Sequence, residues 1–145
     1  MRFKLHHIGI VVPNIPEQAK RFQLLGYNEI TRAELDPIQK VLGCFITAKE
    51  GKDVYIELLE PTHGGSPITK FLEKRGGGLH HLCYEVDDIE RVSKKLKKKG
   101  FQMVSPPVEC VGYDRSFRRK CKNASKIAFF LTSAKMLIEL LEKGQ

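Results

Sequence analysis

Two strand-like runs each carry one carboxylate in apolar company: Glu57 within Val54-Tyr55-Ile56-Glu57-Leu58-Leu59, and Glu139 within Met136-Leu137-Ile138-Glu139-Leu140-Leu141. A charge flanked on both sides by buried-strand sequence is costly unless it has a partner. Two histidines stand at similarly matched places, His7 in Leu5-His6-His7-Ile8 and His81 in Leu79-His80-His81-Leu82. Two imidazoles and two carboxylates suit one borderline divalent cation such as zinc, cobalt, nickel, manganese or ferrous iron. They would neutralise its charge and leave room for water or a substrate. Taken singly, each residue has a plainer reading. A strand histidine usually makes a structural hydrogen bond, and a lone strand glutamate usually faces solvent. What raises the set above that is its repetition.

The chain repeats itself. His6-His7-Ile8-Gly9-Ile10-Val11-Val12 aligns with His80-His81-Leu82-Cys83-Tyr84-Glu85-Val86 at an offset of 74 (81 − 7), and Gly26-Tyr27 meets Gly100-Phe101 at the same spacing. Tyr55-Ile56-Glu57-Leu58-Leu59-Glu60 aligns with Leu137-Ile138-Glu139-Leu140-Leu141-Glu142 at an offset of 82 (139 − 57). The second copy therefore carries eight more residues (82 − 74), which the basic stretch from Arg115 to Lys126 can absorb as a loop. Duplication implies a pseudo-twofold arrangement in which residues at equivalent positions converge on the axis. His6 and His80 are a repeat pair too. Strict alternation sends them to the face opposite His7 and His81. Glu60 and Glu142, near strand ends, read as surface residues, and His63 as a solvated turn residue.

Each copy reads β-α-β-β-β. Strands are expected over 5–12, 28–34, 41–48 and 53–60, and again over 79–86, 101–105, 126–132 and 135–142. In the first copy Ile15, Ala19 and Phe22 form a helical stripe, with Pro16 in the first turn and Gly26 past the end. In the second, Asp88 is the expected N-cap, Ile89, Val92 and Leu96 form the stripe, and Gly100 is the stop. Ser66 as N-cap and Pro67 at the first helical position predict a short helix in the linker, which is closed by Gly76-Gly77-Gly78. The whole of 1–145 is read as one α+β domain: module 1 over about 1–62, the linker over about 63–78, module 2 over about 79–145. A copy of some 60 residues is marginal alone. The two are expected to pack together or to pair across a dimer.

Composition narrows the class. Hydrophobic residues make up 41% and charged residues 29%, so a core can form beneath a solvated surface. No apolar run approaches the roughly 20 residues that span a bilayer, and the N-terminus shows no signal-like core. The expected location is the cytoplasm, with no membrane partner. Cys44, Cys83, Cys110 and Cys121 form no C-x-x-C pair, and reduced thiols are expected there. The net charge of +8 comes without any nucleic-acid motif, so no nucleic-acid partner is expected. Lys94-Lys95-Leu96-Lys97-Lys98-Lys99 reads as a solvated helix face. The second basic stretch reads as a surface loop, or as an attractor for an anionic group such as a cofactor phosphate.

These residues also carry a family likeness. His6-His7-Ile8-Gly9-Ile10, the strand Ile56-Glu57-Leu58-Leu59-Glu60-Pro61 with the following Ser66-Pro67-Ile68, the stretch from Gly78 through His80-His81 to Asp87-Asp88-Ile89, and the closing Leu137-Ile138-Glu139-Leu140 resemble methylmalonyl-CoA epimerases. More broadly they resemble the vicinal oxygen chelate superfamily of glyoxalases, bleomycin resistance proteins and dioxygenases. The resemblance implies paired βαβββ modules forming a curved, cup-like mixed sheet around one divalent metal, with His7, Glu57, His81 and Glu139 as ligands, in a homodimer. It implies proton removal next to the carbonyl of an acyl thioester or related small molecule, with Glu139 as base. The same scaffold admits a glyoxalase I-like lactoylglutathione lyase, a dioxygenase-like protein, or a non-catalytic binding or resistance protein. The chain departs from the likeness at Gly43, where some epimerases carry a carboxylate. It departs also at Thr132-Ser133-Ala134-Lys135, in place of a glycine-rich turn, and in the basic loop.

Overall fold

The structure is a computed structural model that describes residues 2–49, 52–62 and 65–145; His63 lies outside them. Module 1 consists of β1 (Lys4–Val11), α1 (Ile15–Gln23), β2 (Glu29–Ile30), β3 (Glu34–Asp36), β4 (Val41–Thr47) and β5 (Tyr55–Pro61). After α2 (Thr69–Arg75) comes module 2: β6 (Gly78–Glu85), α3 (Ile89–Lys98), β7 (Gln102–Glu109), α4 (Val111–Ser116), β8 (Lys126–Leu131) and β9 (Leu137–Glu142). One curved mixed sheet runs in the order β2-β4-β5-β1-β6-β9-β8-β7, with β3 also on β4. The modules join inside the chain, by antiparallel pairing of β1 with β6. Each opening strand then pairs in parallel with its own closing strand, β1 with β5 and β6 with β9.

Strand alternation sorts the two faces. Ile56 and Leu58 point into a core with Ile15 and Ala19 of α1; Leu140 meets Ile89 and Val92 of α3 in the same way. Glu57 and Glu139, one residue out of phase, must therefore face the concave side. α3 begins as expected, Asp88 accepting from the Arg91 N–H, and α1 begins in the same way at Asn14, which accepts from the Glu17 N–H. Lys94, Lys95, Lys97 and Lys98 line the exposed face of α3.

Some expectations fail for local reasons. The strand expected over 28–34 is broken in two. Ile30 pairs with Ile46 and Glu34 with Gly43, so four steps along one strand face three along the other. That extra residue is a bulge, which turns β3 over the concave face. The linker helix starts at Thr69 and has no side-chain cap; Ser66 only accepts from the Ile68 N–H at 3.5 Å. Ile68 is instead buried against Val11 and Leu59, which holds the turn before the helix. The basic stretch is not simply a loop. It continues from α4, whose Tyr113, Asp114 and Ser116 are buried. Asp114 accepts from both the N–H and the hydroxyl of Ser125 (2.8 and 2.6 Å), and the Arg119 guanidinium donates to the Gly144 carbonyl.

Glu60 and Glu142 are more than surface residues. Glu60 accepts from the Ile15 N–H (3.0 Å) and Glu142 from the Ile89 N–H (3.1 Å). Each closing strand thus satisfies an otherwise unpaired N–H in the first turn of its own module's helix, where negative charge is also favoured. Glu142→Ala should lower stability by about 1 kcal/mol in urea unfolding and leave metal binding intact; unchanged stability would show that the contact contributes nothing.

Candidate metal centre

The four predicted ligand residues come together. His7, Glu57, His81 and Glu139 each offer one donor atom, all within 4.8 Å of one another. His7 Nε2 lies 3.2 Å from Glu57 Oε1, 3.1 Å from Glu139 Oε1 and 3.2 Å from His81 Nε2. His81 Nε2 lies 3.3 Å from Glu57 Oε1 and 3.7 Å from Glu139 Oε1. A zinc-sized ion sits about 2.0–2.2 Å from each nitrogen or oxygen ligand, which spaces neighbouring donors about 3.0–3.5 Å apart. Four of these five spacings fall in that range, and the fifth, 3.7 Å, lies just beyond it. His7, His81 and Glu139 are 2%, 3% and 6% exposed, so water does little to screen the cluster.

Each inner ring has a histidine neighbour on its outward nitrogen. His7 Nδ1 is 2.8 Å from His6 Nδ1, and His81 Nδ1 is 2.8 Å from His80 Nδ1. Burial, then the neighbouring His7, push His6 down to about 3; burial, then His81, push His80 down to about 4. Both are therefore neutral near pH 7. If the ligand rings donate from Nδ1, His6 and His80 accept, and both inner Nε2 atoms present lone pairs. His6 then carries its own proton on Nε2, 3.4 Å from the Tyr113 hydroxyl. Such outer partners commonly orient metal-bound histidines. Four converging acceptors suit a cation.

Alternation had placed His6 and His80 on the other face, and the structure corrects this. In the β1–β6 ladder Leu5 pairs with Tyr84 and His7 with Cys83, leaving His6 as an extra residue; Gly9 pairs with His81 and Ile10 with Leu79, leaving out His80. Two repeat-related bulges at those residues rotate the side chains onto the ligand side. His6 also packs in a stack on Tyr55 and edge-on to Phe45 and Tyr113. Gly9 supplies the remaining room: a Cβ there would lie only 2.2–2.5 Å from three atoms of the His81 ring.

The charges are mutually dependent. Burial alone would lower the His7 pKa, but the Glu57 charge and hydrogen bonds to Glu139 and Glu57 outweigh it and raise it to about 9. Burial would raise Glu57, but His7 and His81 hold it far below the usual carboxylate range. In the absence of a metal a proton thus occupies the cluster at neutral pH, and a cation must displace it. The Cys83 thiol, paired across the ladder with Glu139, is pushed well up by burial and by that carboxylate, so it stays protonated.

The donors open onto a cavity of about 310 Å³, whose walls include Val41, Phe45, Leu59, Ile127, Phe129 and Leu137. Glu57, His81 and Glu139 reach it directly.

Residues 6–118 match the family model described as Glyoxalase/Bleomycin resistance protein/Dioxygenase superfamily. The chain belongs to that superfamily. An ethylmalonyl-CoA/methylmalonyl-CoA epimerase of Cereibacter sphaeroides is 38% identical over 102 residues, 70% of this chain and 74% of that protein. The mitochondrial methylmalonyl-CoA epimerase of Homo sapiens is 34% identical over 107 residues, 73% of this chain and 59% of that longer protein. A hypothetical protein from Bacillus halodurans C-125 superposes with a TM-score of 0.78 at 32% identity, covering 100% of this chain and 97% of that one.

Metal titration by calorimetry tests the centre. His7→Ala and His81→Ala should each lower zinc or cobalt affinity at least tenfold, and Gly9→Ala should weaken it by displacing the His81 ring. Wild-type affinity should rise with pH up to about pH 9, where the competing His7 proton is lost. Full affinity in both histidine variants would sink the assignment.

Proposed function

We propose that the protein is a divalent-metal-dependent epimerase of a CoA thioester, with methylmalonyl-CoA as the first substrate to test. The observation that carries this reading is the buried His7, Glu57, His81 and Glu139 cluster at the base of a largely apolar cavity. The epimerases among its relatives support the substrate class. We take residues 1–145 as one glyoxalase-like domain that works as a homodimer in the cytoplasm. Four unpaired cysteines fit a reducing compartment. No described helix is long and apolar enough to cross a membrane.

A divalent ion held by the four ligands would act as a Lewis acid on the thioester carbonyl, where negative charge develops. The ion is one of zinc, cobalt, nickel, manganese or iron. The chain's own work is to position and to move a proton. Apolar walls exclude water from the reacting carbon, which strengthens every electrostatic contact inside. Glu139 is the base: the C–H bond next to the carbonyl breaks, its proton passes to a Glu139 oxygen, and the electron pair moves into the carbonyl. A positioned carboxylate of this kind contributes about 10²–10⁴-fold.

Deuterium uptake from heavy water into methylmalonyl-CoA, followed by mass spectrometry, tests the reading. Metal-loaded wild type should exchange rapidly, and Glu139→Gln should lose at least about 100-fold, with metal content measured in the same samples. No exchange by metal-replete wild type would remove this substrate and favour a lyase, oxygenase or binding role.

A further inference from the structure

Epimerisation needs proton transfer at both faces of one carbon. The α-carbon becomes planar when its proton leaves, and inversion requires the new proton to arrive from the opposite face. A carboxylate facing Glu139 across the cavity would deliver that proton directly. Three carboxylates besides Glu139 line it: Glu57, Asp36 and Glu34. Glu57 belongs to the ligand set. Asp36 is committed to the fold. Its Oδ1 accepts from the Ile38 and Gln39 N–H groups, and its Oδ2 from the Gly112 N–H and the Cys110 thiol. Glu34 remains.

Its placement is specific. Glu34 in β3 is the cross-strand partner of Gly43 in β4. Directly paired residues of an antiparallel ladder project from the same face, about 5 Å apart. That face looks at the metal centre: a Cβ on Gly43 would lie 3.6 Å from Glu57 Oε2. With a glycine there, the space in front of Glu34 stays open toward the ligands. Arg32 grips Glu34 Oε1 through Nε (2.6 Å) and Nη2 (2.5 Å), which leaves Oε2 outside the ion pair. The Glu34 side chain is 16% exposed, so it is sheltered without being sealed off. Glu34 belongs to the module 1 arm of the curved sheet and Glu139 to the module 2 arm.

The geometry points to Glu34 as the second catalytic acid–base residue, acting on the substrate face opposite Glu139. The inference rests on the epimerase reading and gives that site its stereochemistry. One carboxylate takes the α-proton as the C–H bond breaks and its electron pair moves into the thioester carbonyl. The other, protonated, gives its proton to the opposite face as that pair returns to form the new C–H bond. One proton is taken and one given, so no oxidant or further reactant is needed. The two carboxylates end with their protonation states exchanged, and exchange with water resets them.

The test follows exchange and inversion separately. Each epimer of methylmalonyl-CoA is incubated in heavy water with metal-loaded wild type, Glu34→Gln or Glu34→Asp; deuterium is read by mass spectrometry and configuration by circular dichroism. Wild type should exchange and invert both epimers. Glu34→Gln should bind metal normally and lose inversion by at least about 100-fold. It should still exchange the one epimer whose α-proton faces Glu139, without inverting it. Glu34→Asp should recover part of the inversion. Inversion at the wild-type rate in metal-replete Glu34→Gln would overturn the role of Glu34 and leave the epimerase reading standing. A wild type that neither exchanges nor inverts would overturn both.

Discussion

Everything in this molecule is arranged around one electrostatic demand. Two carboxylate oxygens and two imidazole nitrogens are held within 4.8 Å of one another in a buried site. An uncompensated buried charge costs several kcal/mol. Without a metal, the cluster can persist only by keeping a proton, which is why His7 is raised to about 9 while Glu57 is lowered. A divalent cation would meet the same demand more completely, since it could take all four donors at once.

The fold supplies that convergence through duplication. The β1–β6 ladder sets two equivalent strands side by side, and each brings its own glutamate strand in parallel on its outer flank. The four ligand strands thus occupy the centre of the sheet, and the helices cover the convex side through Ile15, Ala19, Ile89 and Val92. Glu60 and Glu142 fasten each helix to its closing strand, one residue past the apolar pair that follows each ligand. The duplication is not complete. Gly9 makes room for the His81 ring, while its repeat counterpart is Cys83, and only module 2 carries α4, which closes over Asp36 of module 1.

Much of this was legible in the residues. The repeat identified equivalent positions and paired Glu57 with Glu139 and His7 with His81 as residues that converge. The cap at Asp88 and the helix stripes follow from local chemistry. What escaped the sequence depends on register and on distant partners. Nothing in His6-His7 or His80-His81 announces a bulge, yet the two bulges turn His6 and His80 from bystanders into hydrogen-bond partners of the ligands. The break between β2 and β3 is likewise a matter of how many residues face β4. Asp114 looks like one acid in a basic loop until Ser125, eleven residues on, is brought beside it. Glu34 carries no periodic signature at all. Its interest comes from standing opposite a glycine.

X-ray absorption spectroscopy of the zinc- or cobalt-loaded protein most directly tests the claim that these four side chains form one metal centre. The account predicts nitrogen and oxygen scatterers only, at about 2.0–2.2 Å, with the multiple-scattering pattern of two imidazoles. A sulfur shell at about 2.3 Å, or a spectrum without imidazole scattering, would contradict it and place the metal elsewhere in the molecule.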